Sequence, residues 1–265
     1  MSTDPFAQLK AVQRDAWAMF SPQAIFTVPP AARLVAYSGV RAGEKVLDVA
    51  CGTGVVALTA ARQGALVSGL DLAPALLEEA RKNAAIIDAK IEFIEGDVEA
   101  MPYATGTFDV VLSQFGHMFA PRPEMAVAEM IRVLKPGGRI AFTTWPPELM
   151  VGLLFDLVGT YAPPPPGAAP VPAWGDPNNV RQRLGGAVTD LEFYRDEMLV
   201  PSLSPQHYRL TMERTIASVV KAVSTLAQDP DRLAAFRAAL EALISKYFKN
   251  NLVHQSYLMT RAKKI

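Results

Sequence analysis

Between Lys45 and Trp145, short apolar runs of strand length alternate with stretches of helical period, and few folds accommodate that alternation. Lys45-Val-Leu-Asp-Val49 stops at a glycine-rich turn, and further strand-like runs cover Ala65–Leu70, Ile91–Ile94, Phe108–Leu112 and Arg139–Trp145. Helical patterns lie between them, over Gly54–Gln63, after Pro74, and from Pro123 to Leu134. Strands spaced by helices predict an α/β protein with a parallel sheet covered on both faces.

The pattern divides the chain. Residues 1–40 read as an N-terminal helical cap and 41–146 as the α/β core. Prolines then crowd residues 147–188, which cannot hold regular structure throughout and read as a lid or insertion around one short helix at Leu149–Val158. In 189–265, Leu191–Val200 suggests a strand. Ser204-Pro205 opens a helix running to about Leu226, and Asp229-Pro230 opens another with Leu233, Phe236, Leu240, Ile244 and Phe248 on one face. Val253–Thr260 reads as a last strand.

Composition removes several classes of function. The 265 residues carry 26 basic and 26 acidic side chains, so the net positive field of a general nucleic-acid binder is absent and no nucleic-acid substrate is expected. One cysteine forms neither an internal disulfide nor a thiolate metal cluster, and His117, His207 and His254 lack ligand-like spacing, so no metal is expected. The N-terminus mixes Asp4, Lys10, Arg14 and Asp15 into its apolar residues, unlike a signal peptide. The most apolar run, Leu149–Tyr161, is too short for a membrane span and contains Asp156. A cytoplasmic protein is the expectation.

The strongest chemical signal is Val46-Leu-Asp-Val-Ala-Cys-Gly-Thr-Gly54. Gly52 and Gly54 allow a sharp strand-to-helix turn and leave no Cβ before a ligand, at the strand edge where open α/β sheets bind nucleotides. With Ala57 the turn also completes Gly-x-Gly-x-x-Ala, so an NAD(P)-dependent oxidoreductase is one reading. Three acids point elsewhere. A carboxylate at Asp48 repels a pyrophosphate and suits an ammonium; Asp71, ending the second strand, suits two ribose hydroxyls; Asp97, after the third, suits an adenine amino group. Taken singly, Asp71 also fits a helix cap and Asp97 a turn cap. A ligand with adenosine and a cationic amino-acid part is S-adenosylmethionine.

Read in order, that first segment with Gly-Leu-Asp-Leu, Glu-Gly-Asp-Val-Glu-Ala-Met-Pro, Phe-Asp-Val-Val and Leu-Lys-Pro-Gly-Gly resembles the class I S-adenosylmethionine-dependent methyltransferases, over about Gly43–Thr144. The likeness is greatest to the methyltransferase type 11 group, which includes enzymes of ubiquinone and menaquinone biosynthesis. It implies a Rossmann-like doubly wound sheet of seven strands, the last antiparallel. It also implies S-adenosyl-L-methionine as cofactor, S-adenosyl-L-homocysteine as product and a small-molecule methyl acceptor. By the same resemblance, Asp48 with Ala50, Cys51, Gly52 and Gly54 faces the methionine part, Asp71 and Leu72 the ribose, and Asp97 and Val98 the adenine; Ser113 and Gln114 line the methyl-transfer site. Ala50 stands where many members have glycine. Cys51 has no activating histidine near in sequence and reads as a small packed residue.

The acceptor is expected to be apolar or aromatic, met by residues flanking the core: Trp17, Met19, Phe20 and Phe26 before it, Trp145, Phe155, Tyr161 and Trp174 after it. Phe20 and Phe155 fit a plain core role equally well. His117, just past the fourth strand in Ser113-Gln-Phe-Gly-His-Met118, is the candidate general base and a candidate acceptor contact, though a loop histidine with local hydrogen bonds also fits. His207 and Tyr208 are weaker candidates that a surface helix face explains. A catalytically silent module that binds S-adenosylmethionine remains a third reading.

Overall fold

The structure, a computed structural model, describes residues 4–265; residues 1–3 of the expected N-terminal cap lie outside it. Helix α1 (Ala7–Ala16) leads through tight 3₁₀ turns over Trp17–Thr27 into α2 (Val28–Ser38), which ends on Gly39 in the left-handed region. The alternating core follows as β1 (Lys45–Val49), α3 (Val55–Arg62), β2 (Leu66–Asp71), α4 (Pro74–Ile86), β3 (Glu92–Glu95), β4 (Phe108–Gln114), α5 (Pro123–Val133) and β5 (Leu134–Thr144). Beyond it come α6 (Met150–Tyr161), α7 (Pro177–Leu184), β6 (Val188–Pro201), α8 (Pro205–Thr215), α9 (Ala217–Thr225), α10 (Pro230–Lys246), β7 (Phe248–Lys249) and β8 (Leu252–Lys264). None of the described helices is long and apolar enough to cross a membrane.

The sheet runs in the order β3-β2-β1-β4-β5-β8-β6. Pairings from β3 to β5 are parallel, and β8 inserts antiparallel between β5 and β6. This is the expected doubly wound sheet with a reversed last strand; the two-residue β7, paired to β8, adds an eighth short strand. Both faces are buried, which is why the strands read as continuous apolar runs. Val46, Val110, Leu112 and Ala141 point to a core with α2, α3 and α4, while Leu47, Val49, Val111, Ile140 and Phe142 point to the larger core on the other face. The side-chain period of two sets this partition.

The tail differs from the sequence expectation in two respects, one being that the helix opened at Pro230 stops at Lys246, so Phe248, expected on its apolar face, lies instead in β7. Ser204 caps α8 by accepting from His207 N (3.1 Å) and Asp229 caps α10 by accepting from Arg232 N (3.1 Å), each with a proline in the first turn. The helix begun at Pro205, however, breaks at Ile216, whose extended backbone (φ −104°, ψ 106°) separates α8 from α9. That bend lets both helices lean over the carboxyl ends of the strands. Pro163–Pro170 forms no regular element, as its prolines dictate.

Two glycines allow the segment after β5 to pack closely. A Cβ added at Gly175 would lie 2.0 Å from the carbonyl oxygen of Trp145, and one at Gly152 in α6 would lie 2.2 Å from that of Pro146. These contacts are backbone to backbone and cannot be relieved by a rotamer change. Gly175→Ala is therefore expected to destabilise the fold by about 1–3 kcal/mol, the usual cost of overpacking. A urea midpoint equal to that of the parent would contradict this close approach.

Candidate functional site

β1 lies where the strand order reverses, flanked by β2 on one side and β4 on the other, and the crevice at such a switch point is the usual ligand site of an open α/β sheet. The turn there is built from left-handed residues: Ala50 (φ 52°), Gly52 (φ 54°) and Gly54 (φ 83°). Two buried carboxylates hold it. Asp48 is 1% exposed, and its Oδ2 accepts from Ala57 N at 2.9 Å in the first turns of α3. Asp71 accepts from Gly52 N at 2.7 Å through one oxygen and from Ala73 N at 2.8 Å through the other. Asp48 Oδ1 has no partner among the described residues. Burial pushes both carboxyls above the ordinary range; the backbone donors oppose this at each site.

The glycines divide their work. A Cβ at Gly52 would meet no protein atom within 4 Å, leaving the backbone open to the cavity. A Cβ at Gly54 would meet Leu58 at 2.8 Å and Ala80 and Phe93 at 3.2 Å, so Gly54 lets α3 pack close and is not part of the cavity wall. The Cys51 thiol is buried and burial pushes its pKa well up, which suits a packed residue and not a nucleophile.

Asp97 sits in a cluster that local sequence did not reveal. Its Oδ1 accepts from Glu99 N at 2.9 Å, and its Oδ2 pairs with Lys10 Nζ at 2.6 Å. Lys10, on α1, also reaches Glu99 at 2.5 Å and Asp4 at 2.8 Å, and Arg122 bonds both of those acids. Burial works against the Lys10 charge, but hydrogen bonds to the three acids prevail and its pKa is raised. The ammonium stands amid Asp4, Asp97 and Glu99, oxygens that would otherwise form a cation site. The cluster ties the N-terminal helix to the end of β3.

One cavity of about 950 Å³ runs from this acidic corner into an apolar chamber. Of the residues expected at the cofactor site, Asp48, Ala50, Cys51, Gly52, Asp71, Leu72, Asp97, Val98 and Gln114 line it, the last donating to Thr27 O at 2.9 Å. Ser113 does not: it is fully buried, donates to Val49 O at 2.7 Å and joins β4 to β1. Trp17, Met19, Phe20, Phe26, Trp145 and Phe155 line the apolar chamber, whereas Tyr161 and Trp174 face away from it. Tyr161 packs on Phe236, and Trp174 is 1% exposed within the core.

His117 requires correction both as general base and as acceptor contact. It is 0% exposed, absent from the cavity wall, and held edge-on by Phe142 (4.7 Å) and Trp174 (4.5 Å). Neither ring nitrogen has a partner among the described residues. Burial, with the Arg183 charge, lowers its pKa to about 3. A buried, neutral imidazole that does not border the cavity is a packing residue. His207 is exposed, its ring nitrogen 3.0 Å from Ser202 Oγ, and is outside the cavity as well.

Other cavity residues had no local signal or, in the case of Tyr208, only a weak one. Phe115 adopts φ 56°, rare for a bulky residue, and stacks on Trp145 at 3.9 Å with rings 8° apart. Tyr208, 5% exposed, lies on the inner side of α8 and not on a surface face; Gln255, Met198 and Met212 join it on the wall. The positive φ of Phe115 at a strand end shows only in the backbone, so the sequence carried no sign of it.

A twisted α/β sheet with a glycine turn and buried acids at its switch point defines a Rossmann-like nucleoside-binding protein. A family profile described as a methyltransferase domain matches residues 46–138. An uncharacterised protein of Mycobacterium tuberculosis is 33% identical over 95% of this chain and 93% of its own length. Demethylmenaquinone methyltransferase of Thermus thermophilus is 39% identical over 40% of this chain and 50% of that protein. Among solved structures, the YcgJ protein of Bacillus subtilis superposes with a TM-score of 0.59 at 16% identity, covering 88% of this chain and 97% of that one. The chain belongs to the class I S-adenosylmethionine-dependent methyltransferases; it is an enzyme, and its cofactor is S-adenosyl-L-methionine. The nicotinamide and silent-module readings are set aside with that.

The buried imidazole has a pH signature. With a folded pKa near 3 against 6.5 unfolded, the unfolded chain binds the extra proton, so the stability held above pH 6.5 is lost as pH falls toward 3. The loss at pH 5 relative to pH 8 is about 2 kcal/mol. His117→Phe is expected to remove that component from urea titrations at the two pH values. An equal pH dependence in both proteins would contradict the sealed histidine.

Proposed function

We propose that the enzyme methylates an oxygen, carbon or nitrogen nucleophile on a small apolar or aromatic molecule bound in the chamber beside the cofactor. The observation that carries this reading is one continuous cavity, acidic at the β1–β3 edge and walled mainly by aromatic, methionine and aliphatic side chains beyond it.

The acidic corner suits the cofactor. Asp48, which borders the cavity and whose Oδ1 is buried without a partner, suits the methionine ammonium: a cation beside it offsets the desolvation that raises the carboxyl's pKa. Ala50, Cys51 and the open backbone at Gly52 flank the methionine part, and Gln114 borders it from β4. Asp71 keeps lone pairs for the ribose hydroxyls beyond the two that hold Gly52 and Ala73, with Leu72 beside it. Asp97 and Val98 border the adenine end, where Asp97 shares its oxygens with Lys10 and the Glu99 amide.

When bound, the cofactor supplies an electrophilic methyl group on a sulfonium, and S-adenosyl-L-homocysteine remains. The chain's own contribution is positional. Trp145, Phe115, Phe20 and Trp17 confine the acceptor, and Pro164, Pro165 and Pro170 of the proline-rich segment border the same cavity. Positioning of this kind contributes about 7–11 kcal/mol. With His117 sealed in the core, the reading assigns no imidazole base; an acceptor proton leaves to solvent or is lost before binding.

The test is calorimetric titration with S-adenosyl-L-homocysteine. The parent is expected to bind it and to ignore NADH, and Asp71→Asn to weaken it by about 10- to 100-fold, the scale of hydrogen bonds to a charged group. Unaltered affinity in Asp71→Asn would remove Asp71 from the ribose site, and tight NADH binding would overturn the reading.

A further inference from the structure

Among the polar side chains that border the acceptor chamber, two buried ones are hydrogen-bonded to each other. Gln255 Nε2 donates to Tyr208 Oη at 2.7 Å, and each residue is 5% exposed and borders the cavity. Tyr208 comes from α8 and Gln255 from β8, so the pair exists only because the tail leans over the sheet edge.

The hydrogen-bonding inventory is incomplete in a specific way. A tyrosine hydroxyl that accepts from Gln255 still has its own proton to give, and among the described residues no acceptor takes it. Gln255 Oε1 receives no protein donor, and it is not among the sealed unpartnered atoms. The pair therefore offers the cavity one donor and one acceptor. Turning the amide over exchanges the roles and leaves the same offer: a tyrosine lone pair and an amide N–H. Burial pushes the Tyr208 pKa up to about 12, so the hydroxyl keeps its proton and acts as a donor, not a base.

Its position is equally defined. Gln255 is paired in register with Met198 of β6 and shares a strand face with Tyr257. The Tyr257 ring meets Phe115 edge-on at 5.4 Å and Trp145 at 6.3 Å. The polar pair thus stands beside the stacked Phe115–Trp145 wall, at the ends of β4 and β5 and apart from the acids of the cofactor corner.

We propose that Tyr208 and Gln255 are positioning residues that recognise a hydroxyl group on a planar, aromatic methyl acceptor. A hydroxyl accepts from one partner and donates to the other at a single atom, as the pair requires; an ether or a bare ring leaves one or both unpaired in an apolar wall. The proposal rests on the reading of this chamber as the acceptor site.

Equilibrium dialysis of the enzyme saturated with S-adenosyl-L-homocysteine, using 2-naphthol and naphthalene as probes, tests it. The parent is expected to bind 2-naphthol about tenfold more tightly than naphthalene. Tyr208→Phe and Gln255→Leu are each expected to bring that ratio near one, with naphthalene binding and S-adenosyl-L-homocysteine affinity unchanged. A role confined to structure would weaken both probes together and leave the ratio intact. Equal binding of the two probes by the parent, or a ratio that survives both substitutions, overturns the anchor and leaves the chamber standing. Failure of both probes to bind overturns chamber and anchor together.

Discussion

The Asp71 carboxylate binds Gly52 N–H with one oxygen and Ala73 N–H with the other, and the turn after β1 keeps its shape through that pair of bonds. A buried carboxylate is costly unless it is paired or hydrogen-bonded, and here the donors are backbone amides of two adjacent strand ends. The same contacts hold the left-handed Ala50, Gly52 and Gly54 in register with the start of α4. Asp48 does the equivalent for α3 through Ala57. On the proposed reading, the acids that face the cofactor are also the acids that build its corner, so fold and ligand chemistry would share one set of interactions.

From that corner the rest of the site follows by covering. The sheet supplies only its carboxyl edge, so walls must come from segments outside the alternating core. Lys10 ties α1 down through Asp97 and Glu99, and the turns from Trp17 to Thr27 follow it over the opening. On the other side Gly175 and Gly152 bring the segment after β5 hard against Trp145 and Pro146, which sets the indole on the cavity wall. Tyr208 and Met212 on α8 face inward, and beyond the break at Ile216 α9 adds to the same wall. The Lys10–Asp97 and Gly175–Trp145 contacts are tertiary arrangements of residues far apart in sequence.

That separation explains what the sequence revealed and what it hid. The strands from Lys45 to Thr144 were legible because a doubly covered sheet demands unbroken apolar runs, and Asp48, Gly52, Asp71 and Asp97 because each sits at a fixed offset from a strand end. His117 and Ser113 occupy the same stretch, yet one is enclosed by Phe142 and Trp174 and the other is bonded to Val49, contacts made across the fold. Proximity in sequence to a strand end therefore misplaced both. Tyr208 was legible only as a weak candidate on a helix taken for a surface one, and Lys10, Phe115 and Gln255 had no local signature at all: an ammonium among three acids, or a tyrosine meeting a glutamine from β8, exists only after the ends of the chain fold over the sheet.

Cofactor and acceptor are proposed to share the crevice beyond β1 and β4, and a crystal structure of the enzyme soaked with S-adenosyl-L-homocysteine would show whether they do. The ribose hydroxyls are expected within hydrogen-bonding distance of Asp71, the amino group beside Asp48, and the sulfur facing the aromatic chamber. A nucleoside bound elsewhere on the molecule, or one whose sulfur points away from Phe115 and Trp145, would contradict it.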